Sequence, residues 1–536
     1  GDDWLGEWNL NKISFKLYFR GSYGNSWLQQ PVFPGSTLGK LKRLVLRGCR
    51  GSSKYTIREE LVRRLHRDMG HTICSGKFVN LLINGDYKGF YVLHEFPDQD
   101  FYQQYFDSDS QWDVITQDGP RDGDTDAWID LVYYAYYRNL SQQIHYHYVC
   151  DRLDIEAFID YMILHIYVAS YDWPNNNWVA ARERSNGELS KFRIYTYDAE
   201  GAMFARDLHW TAFEESAIGR PGFRDSTAPI SRLFVALMDN ADFRQLFADR
   251  IYRHLFGQGA LVESRVLEAF AVIADEMALV LPNIDTFIPD TFVPERKSIV
   301  MEAFLREGLY TFDGPALAIN DLPRYGGYVA STDALTIANP DEPGTIWYSV
   351  DGNDVRLPGG GVDTACASLY DNPVSMSKST LVKARITRDN EWSALSEAVF
   401  AVGPVAESLR INEIMYHPID PADPNDPNDP NEEYIELVNV GSEMINLSLV
   451  HFTNGIEFTF GDVELAPGQY AIVVEDLAAF EAKYGQGLPV AGQFEGRLAN
   501  NGERVELVDA IGTVIHNFEY DDNWRTITDD EGYSLT

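Results

Sequence analysis

Apolar and polar positions alternate through Lys12-Ile-Ser-Phe-Lys-Leu-Tyr-Phe-Arg20 and again through Leu41-Lys-Arg-Leu-Val-Leu-Arg47. A period of two predicts two strands, with a turn around Gly21 and Gly24 after the first. From Tyr55 to Met69 the period lengthens to that of a helix, with Ile57, Leu61, Val62 and Leu65 on one face and charged residues on the other. Phe78–Ile83 and Phe90–Glu95 flank Asn84-Gly85, a strong hairpin signal. The apolar stretch Leu153–Val168 predicts a helix that runs out before Pro174 and three consecutive asparagines, and Phe192–Tyr197 alternates as a strand. Residues 231 to 310 are helical, and their stripe of Leu233, Leu237, Phe243, Phe247, Ile251 and Leu255 belongs to a core. Strands, a charged helix, a hairpin and then more helices predict an α+β domain.

The pattern changes at Asn320–Gly327. Short strands with turns follow to Gly403: Ala334–Ile337, Thr345–Val350, Leu381–Ile386 and Ala398–Ala401, the spacing of a small β-sandwich. A second β-module begins at Leu409. Within it Asp420-Pro-Ala-Asp-Pro-Asn-Asp-Pro-Asn-Asp-Pro-Asn431 excludes both helix and ladder, which makes it an exposed, extended loop. The chain is therefore read as multidomain: residues 1–325, 326–403 and 404–536.

Length and charge agree with that division. A chain of 536 residues suggests several domains, and 45% apolar residues with 13% aromatics supply packed cores. The formal charge of −37, from 81 acids against 44 bases, repels nucleic-acid phosphates and anionic membranes, so neither is expected as a partner. Such a surface suits divalent cations, or solubility in a salty exterior. Cys49, Cys74, Cys150 and Cys366 form no C-x-x-C pair, which excludes a zinc ribbon and leaves any disulfide pairing open. No run approaches eighteen apolar residues, and no signal peptide is present. The chain opens in mid-pattern at Gly1-Asp-Asp-Trp4 and reads as a fragment with a truncated N-terminus.

Candidate chemistry concentrates in Ser170-Tyr-Asp-Trp-Pro-Asn-Asn-Asn-Trp178 and Tyr197-Asp-Ala-Glu200. Asp172 and Asn177 are five apart, and Asp198 follows on the next strand-like segment. Protein kinases use this order: a loop Asp that orients the attacking hydroxyl, an Asn that binds metal, then a second metal-binding Asp. Asp-Trp-Pro-Asn is equally a good turn, and a glycosidase acid–base pair is a further use of two carboxylates. No G-x-S-x-G, Walker A or H-E-x-x-H segment is present, which argues against the commonest hydrolases and ATPases. His145 and His147 alternate in an aromatic stretch without metal-ligand spacing.

The first 325 or so residues resemble the CotH kinase-like proteins, named for spore coat protein H. The pieces that carry the resemblance are Lys12–Phe19 with Tyr23-Gly24, Leu44-Val-Leu-Arg47, Arg58-Glu-Glu60, Ile83–Tyr91, Leu93-His-Glu95, Trp112–Ile115, Asp172–Trp178 and Asp198-Ala-Glu200. The resemblance implies an atypical protein-kinase-like fold that uses ATP and Mg²⁺ (or Mn²⁺) to phosphorylate hydroxyls of secreted or surface proteins. By the same resemblance Asp172 is the catalytic-loop Asp, and Asn177 or Asn176 and Asp198 are metal ligands. A strand lysine, Lys12 or Lys16, is expected at the nucleotide phosphates, paired with Glu60 or Glu59 of the following helix. Asp198-Ala-Glu200 departs from the family's commoner Asp-x-Asp, leaving Glu200 as a substitute ligand or a solvent-facing acid. The phosphate-covering loop upstream of the lysine strand is missing or truncated.

Ile346-Trp-Tyr-Ser-Val-Asp-Gly352, Val382-Lys-Ala-Arg385 and Trp392-Ser-Ala394 resemble the C-terminal β-domain of chitobiase-type proteins, an accessory module. Arg410–Pro418, Glu433–Asn439, Gly468–Val474 and Asn500–Leu507 resemble the lamin tail domain, an immunoglobulin-like sandwich that serves in surface attachment in bacterial-type versions. The whole reads as a secreted or cell-surface protein kinase that transfers the ATP γ-phosphate to Ser/Thr hydroxyls of an extracytoplasmic protein. The alternative is a catalytically inactive scaffold or adhesin whose β-modules bind a glycan or cell-wall partner.

Overall fold

The computed structural model describes residues 13–30, 32–33, 39–48, 53–106, 108–185, 187–278, 284–340, 343–403, 405–419, 431–528 and 532–536. Contacts divide the chain into two compact units, Gly1–Phe312 and Asp313–Thr536. The division falls ahead of the compositional change at 320–327, because strand Ala316–Ile319 pairs with Ala334–Ala338 in the second unit.

In the first unit, β1 (Phe15–Tyr18), β2 (Arg43–Arg47), β3 (Gly76–Ile83) and β4 (Asp86–Glu95) form an antiparallel sheet in the order β1-β2-β4-β3. The β3–β4 turn holds Asn84 and Gly85 at φ of 53° and 87°, the left-handed geometry that this residue pair supplies. A second antiparallel sheet, β6-β5-β7-β8, is built from β5 (Trp112–Thr116), β6 (Gly119–Asp122), β7 (Trp178–Glu183) and β8 (Arg193–Thr196). Leu44 of the first sheet and Trp112, Val114, Val179 and Ala181 of the second share one apolar cluster.

The helix Ser53–Asp68 buries Ile57, Leu61, Val62 and Leu65 completely. Each such side chain contributes about 2 kcal/mol, which fixes the azimuth of the charged residues between them. The helix Ile155–Tyr167 is apolar on nearly every side and buried along its length, and Asp154 caps it by accepting from the Ala157 amide at 3.1 Å. Its one fully buried acid, Asp160, accepts from Arg250 Nε at 2.7 Å and is met by His71 Nε2 at 2.7 Å and His254 Nε2 at 3.0 Å. Pro229–Met238 and Ala241–Leu255 carry the apolar stripe inward, as the spacing predicts, and Glu263–Ala278 and Val293–Arg306 bury apolar faces of their own.

The second unit contains paired sheets throughout. Leu317, Leu335 and Ile337 of one sheet pack against Val382, Ala384, Ala398 and Phe400 of another in a shared core, a sandwich that includes the strand Ala316–Ile319 ahead of residue 326. Strands Leu409–Met415, Tyr434–Asn439, Tyr470–Val474 and Val490–Gln493 form a sheet opposite His451–Asn454, Arg504–Val508 and Val514–Glu519, and both line a second core. Residues 420–430 of the Asp-Pro-Asn segment lie outside the described residues. No helix among the described residues is long and apolar enough to cross a membrane. Cys74, Cys150 and Cys366 are free thiols, and Cys49 is outside the described residues.

Candidate active site

Four segments meet at the end of β2 and the end of β8. β2 delivers Arg47, and the helix Ser53–Asp68 delivers Glu59. The turn after β8 delivers Asp198 and Glu200, with Asp198 held at φ 52° and Ala199 buried beneath it. The segment after the helix Ile155–Tyr167 delivers Asp172 and the asparagine run. This last segment docks on the β8 turn: the Tyr171 amide donates to Gly201 O at 2.7 Å, and Asn177 Nδ2 donates to Asp198 O at 3.0 Å. The approach is close at Gly201, where a Cβ would lie 3.2 Å from Tyr171 Cβ and 3.9 Å from Asp172 Oδ2.

Arg47 is the centre of the cluster. Its Nη1 donates to Glu59 Oε1 at 2.7 Å, and its Nη2 donates to Asp198 Oδ1 at 2.5 Å and Glu200 Oε2 at 3.2 Å. Burial opposes the charge on this guanidinium, but Glu59, Asp198 and Glu200 together raise its pKa well above the ordinary value. The three acids offer oxygens that all lie within 4.8 Å of one another. That donor set fits a hard divalent cation such as Mg²⁺ or Mn²⁺, which takes carboxylate oxygens.

The predicted residues are placed unevenly. Asp172 is exposed beside Gly201, with the Asn176 amide donating to its backbone carbonyl at 3.0 Å. Asn176 itself is exposed; Asn177 is the asparagine turned toward Asp198. Asp198 and Glu200 come together with Glu59. The expected lysine–glutamate pair is not formed by Lys16 and Glu60. Lys16 is exposed on the edge strand β1, its ammonium 4.7 Å from the Phe96 ring centre. Glu60 lies one helical position round from Glu59 and is taken by its own helix, by Arg63 at 3.0 Å and Arg64 at 2.9 Å. Lys12 lies outside the described residues. Among the described residues the strand cation at the cluster is Arg47 on β2, and its helix partner is Glu59.

Three supporting residues stand outside the candidate set. Arg47 closes the quoted Leu44-Val-Leu-Arg47 run, so its strand-end position was the available signal. Arg220 donates to Tyr171 O and, at 2.8 Å, to Asp207 Oδ1, and its guanidinium lies over the rings of Tyr171 and Trp210. It thereby braces the segment that carries Asp172. His165 bonds both Ser170 and Thr196; neither it nor Arg220 belongs to a motif. A cavity of about 340 Å³ lined by His71, Asp154, Glu156, Arg193 and Arg250 sits at the N-terminal end of the helix Ile155–Tyr167, whereas Asp172 follows its C-terminal end. The cavity is not this site.

No curated protein matches the chain. A crystal structure of a DUF4876 family protein from Bacteroides thetaiotaomicron aligns with 34% of this chain at 10% identity and a TM-score of 0.16, and the chain covers 66% of that structure's length. So low a score carries no argument. A lamin tail domain model matches residues 404–522, in agreement with the second core described above. The model of the CotH kinase protein matches residues 6–278, a range that contains Arg47, Glu59, Asp172, Asn177, Asp198 and Glu200. That range is more than half of the 536 residues, and the chain belongs to the CotH kinase family.

Proposed function

We propose that the first unit transfers the γ-phosphate of ATP to a Ser or Thr hydroxyl of a protein outside the cytoplasm. The observation that carries this reading is the convergence of Arg47, Glu59, Asp198 and Glu200 with the Asp172–Asn177 segment. In the reaction the acceptor oxygen bonds to the γ-phosphorus, the bond to the β-bridging oxygen breaks, and ADP leaves. Asp172, exposed at the rim, accepts the proton of the acceptor hydroxyl. Arg47 presents a planar, permanently charged fork to the phosphates while Glu59 holds its Nη1. Asn177 fixes the backbone of Asp198. Asp198 and Glu200, with Glu59 beside them, would hold Mg²⁺ or Mn²⁺, which neutralises phosphate charge when bound. The lamin tail domain and the sandwich before it would then attach the enzyme to a surface, glycan or cell-wall partner.

The test is transfer of label from γ-³²P-ATP into a surface-protein extract, with Mg²⁺ or Mn²⁺ present. The reading expects metal-dependent label on Ser or Thr; folded protein that labels nothing with either metal would overturn it. One observation favours a second reading, the catalytically inactive scaffold. Arg47 already pairs with all three carboxylates, so the cluster can serve as an internal ion-pair network with no ligand bound. Under that reading ATP with metal does not bind, and the same protein gives no label.

A further inference from the structure

The two aspartates of the proposed reaction lie on separate segments, and each segment is entered through a buried hydroxyl. Ser170 stands two residues before Asp172, and Thr196 two before Asp198; they are 4% and 6% exposed. One imidazole joins them. His165 Nδ1 lies 2.8 Å from Ser170 Oγ, and its Nε2 lies 3.3 Å from Thr196 Oγ1. Thr196 Oγ1 is also 2.9 Å from His66 Nδ1, which ties the bridge to the helix that presents Glu59. The His165 ring stacks on Trp173, the neighbour of Asp172, with centroids 5.1 Å apart and planes 20° apart. Tyr161 packs against the ring at 4.3 Å.

We propose that His165 is a positioning residue, a strut that sets the separation of Asp172 and Asp198. The inference rests on the phosphoryl-transfer reading. Backbone bonds from Tyr171 N to Gly201 O and from Met203 N to Val168 O tie the two segments downstream of Asp198. The His165 bridge ties them upstream, so the Asp198 turn is pinned on both sides. The chemistry of the ring suits a fixed strut. Burial holds the His165 pKa down to about 3 and lowers that of His66 as well. A neutral imidazole has one donor and one acceptor nitrogen. One hydroxyl therefore donates to the ring while the other accepts from it, and the chain continues to His66 without a charge anywhere along it.

Three variants of the full chain test this. Thr196→Val keeps the shape and removes the hydroxyl, Thr196→Ser restores it, and Ser170→Ala removes only the Asp172-side bond. Thr196→Val and Ser170→Ala are each expected to lower kcat by about 10- to 100-fold, the usual effect of a misplacement of about 1 Å. The KM for ATP should stay within about threefold, and Thr196→Ser should recover most of the loss in kcat. Active wild type with unchanged kcat in both loss variants overturns the strut and leaves the kinase reading standing. Failure of Thr196→Ser to recover activity overturns it too, because a hydroxyl would then not be the active feature. If Thr196→Val does not fold, Ser170→Ala decides. If the wild type transfers no phosphate, the kinase reading falls, and crystal structures of wild type and Ser170→Ala decide the strut: a change of about 0.5 Å or more in the Asp172–Asp198 separation supports it, and an unchanged separation overturns it.

Discussion

Arg47→Met removes the guanidinium while keeping an unbranched apolar stem, and leaves Glu59, Asp198 and Glu200 facing one another. Their nearest available oxygens lie within 4.8 Å. At an effective dielectric of about 20 each like-charge pair then costs at least about 3.5 kcal/mol. Asp198 is 35% exposed and Glu200 22%, so solvent screens much of this. The net loss expected is about 3–5 kcal/mol, the usual result of breaking a part-buried ion pair. For a unit of this size that corresponds to a fall in Tm of roughly 5–10 °C. The loss should have two signatures. Repulsion raises the folded-state carboxylate pKa values of the variant above their unfolded values, so the penalty grows as pH rises and shrinks from pH 7 to pH 5. A divalent cation should replace the lost guanidinium and restore stability, by about 2.7 kcal/mol at a hundredfold excess over its Kd. Thermal unfolding of wild type and Arg47→Met at both pH values, with and without Mn²⁺, measures both. A loss of the same size in all four conditions would refute the reasoning, because it would mean that Arg47 contributes only packing.

Asp198→Ala should abolish metal-dependent phosphoryl transfer with the fold intact, whereas Asp172→Ala should spare nucleotide and metal binding and lower turnover roughly 10²–10⁴-fold; equal activity in both variants would remove these aspartates from the mechanism. His94 and His165 are held neutral by burial, with pKa values lowered to about 3. Unfolding exposes them at their ordinary value near 6.5, so the stability they contribute is complete above about 6.5 and falls toward pH 3, by up to about 1.4 kcal/mol per pH unit for each. Urea unfolding between pH 7 and 4 should show this slope, and His94→Gln should flatten it. In the second unit, burial pushes the Glu433 carboxyl up to about 8, although the Leu498 amide donates to it at 2.7 Å. A raised folded pKa costs stability progressively as pH rises from about 4.5 to about 8, so Glu433→Gln should stabilise that unit by about 2 kcal/mol at pH 8 and by little at pH 4, read from its thermal midpoint.

Much of the fold was legible because local pattern and tertiary placement agree. Ile57, Leu61, Val62 and Leu65 name their own helix face, and Asn84-Gly85 names its turn. The Asp172, Asn177 and Asp198 segments were legible for a related reason, since their order along the chain follows the order of loop, strand and turn that brings them together. The cation was not legible. Alternation shows which face of a strand a residue occupies, but it does not show which strand end reaches the helix, and here Arg47 of β2, not a lysine of the edge strand β1, bonds Glu59. Glu59 and Glu60 are adjacent and chemically alike. What separates them is a rotation of about 100°, which turns one to Arg47 and the other to Arg63 and Arg64. His165 and Thr196 lie 31 positions apart and meet only through packing.

The most direct measurement is a crystal structure of the full chain with Mg²⁺ and a non-hydrolysable ATP analogue. Phosphoryl transfer at this site predicts a cation on Asp198 and Glu200, Arg47 drawn from those two acids onto the phosphates while still held by Glu59, and Asp172 facing the γ-phosphate. Arg47 still bridging Glu59, Asp198 and Glu200, with no nucleotide at the cluster under saturating analogue and metal, would contradict it.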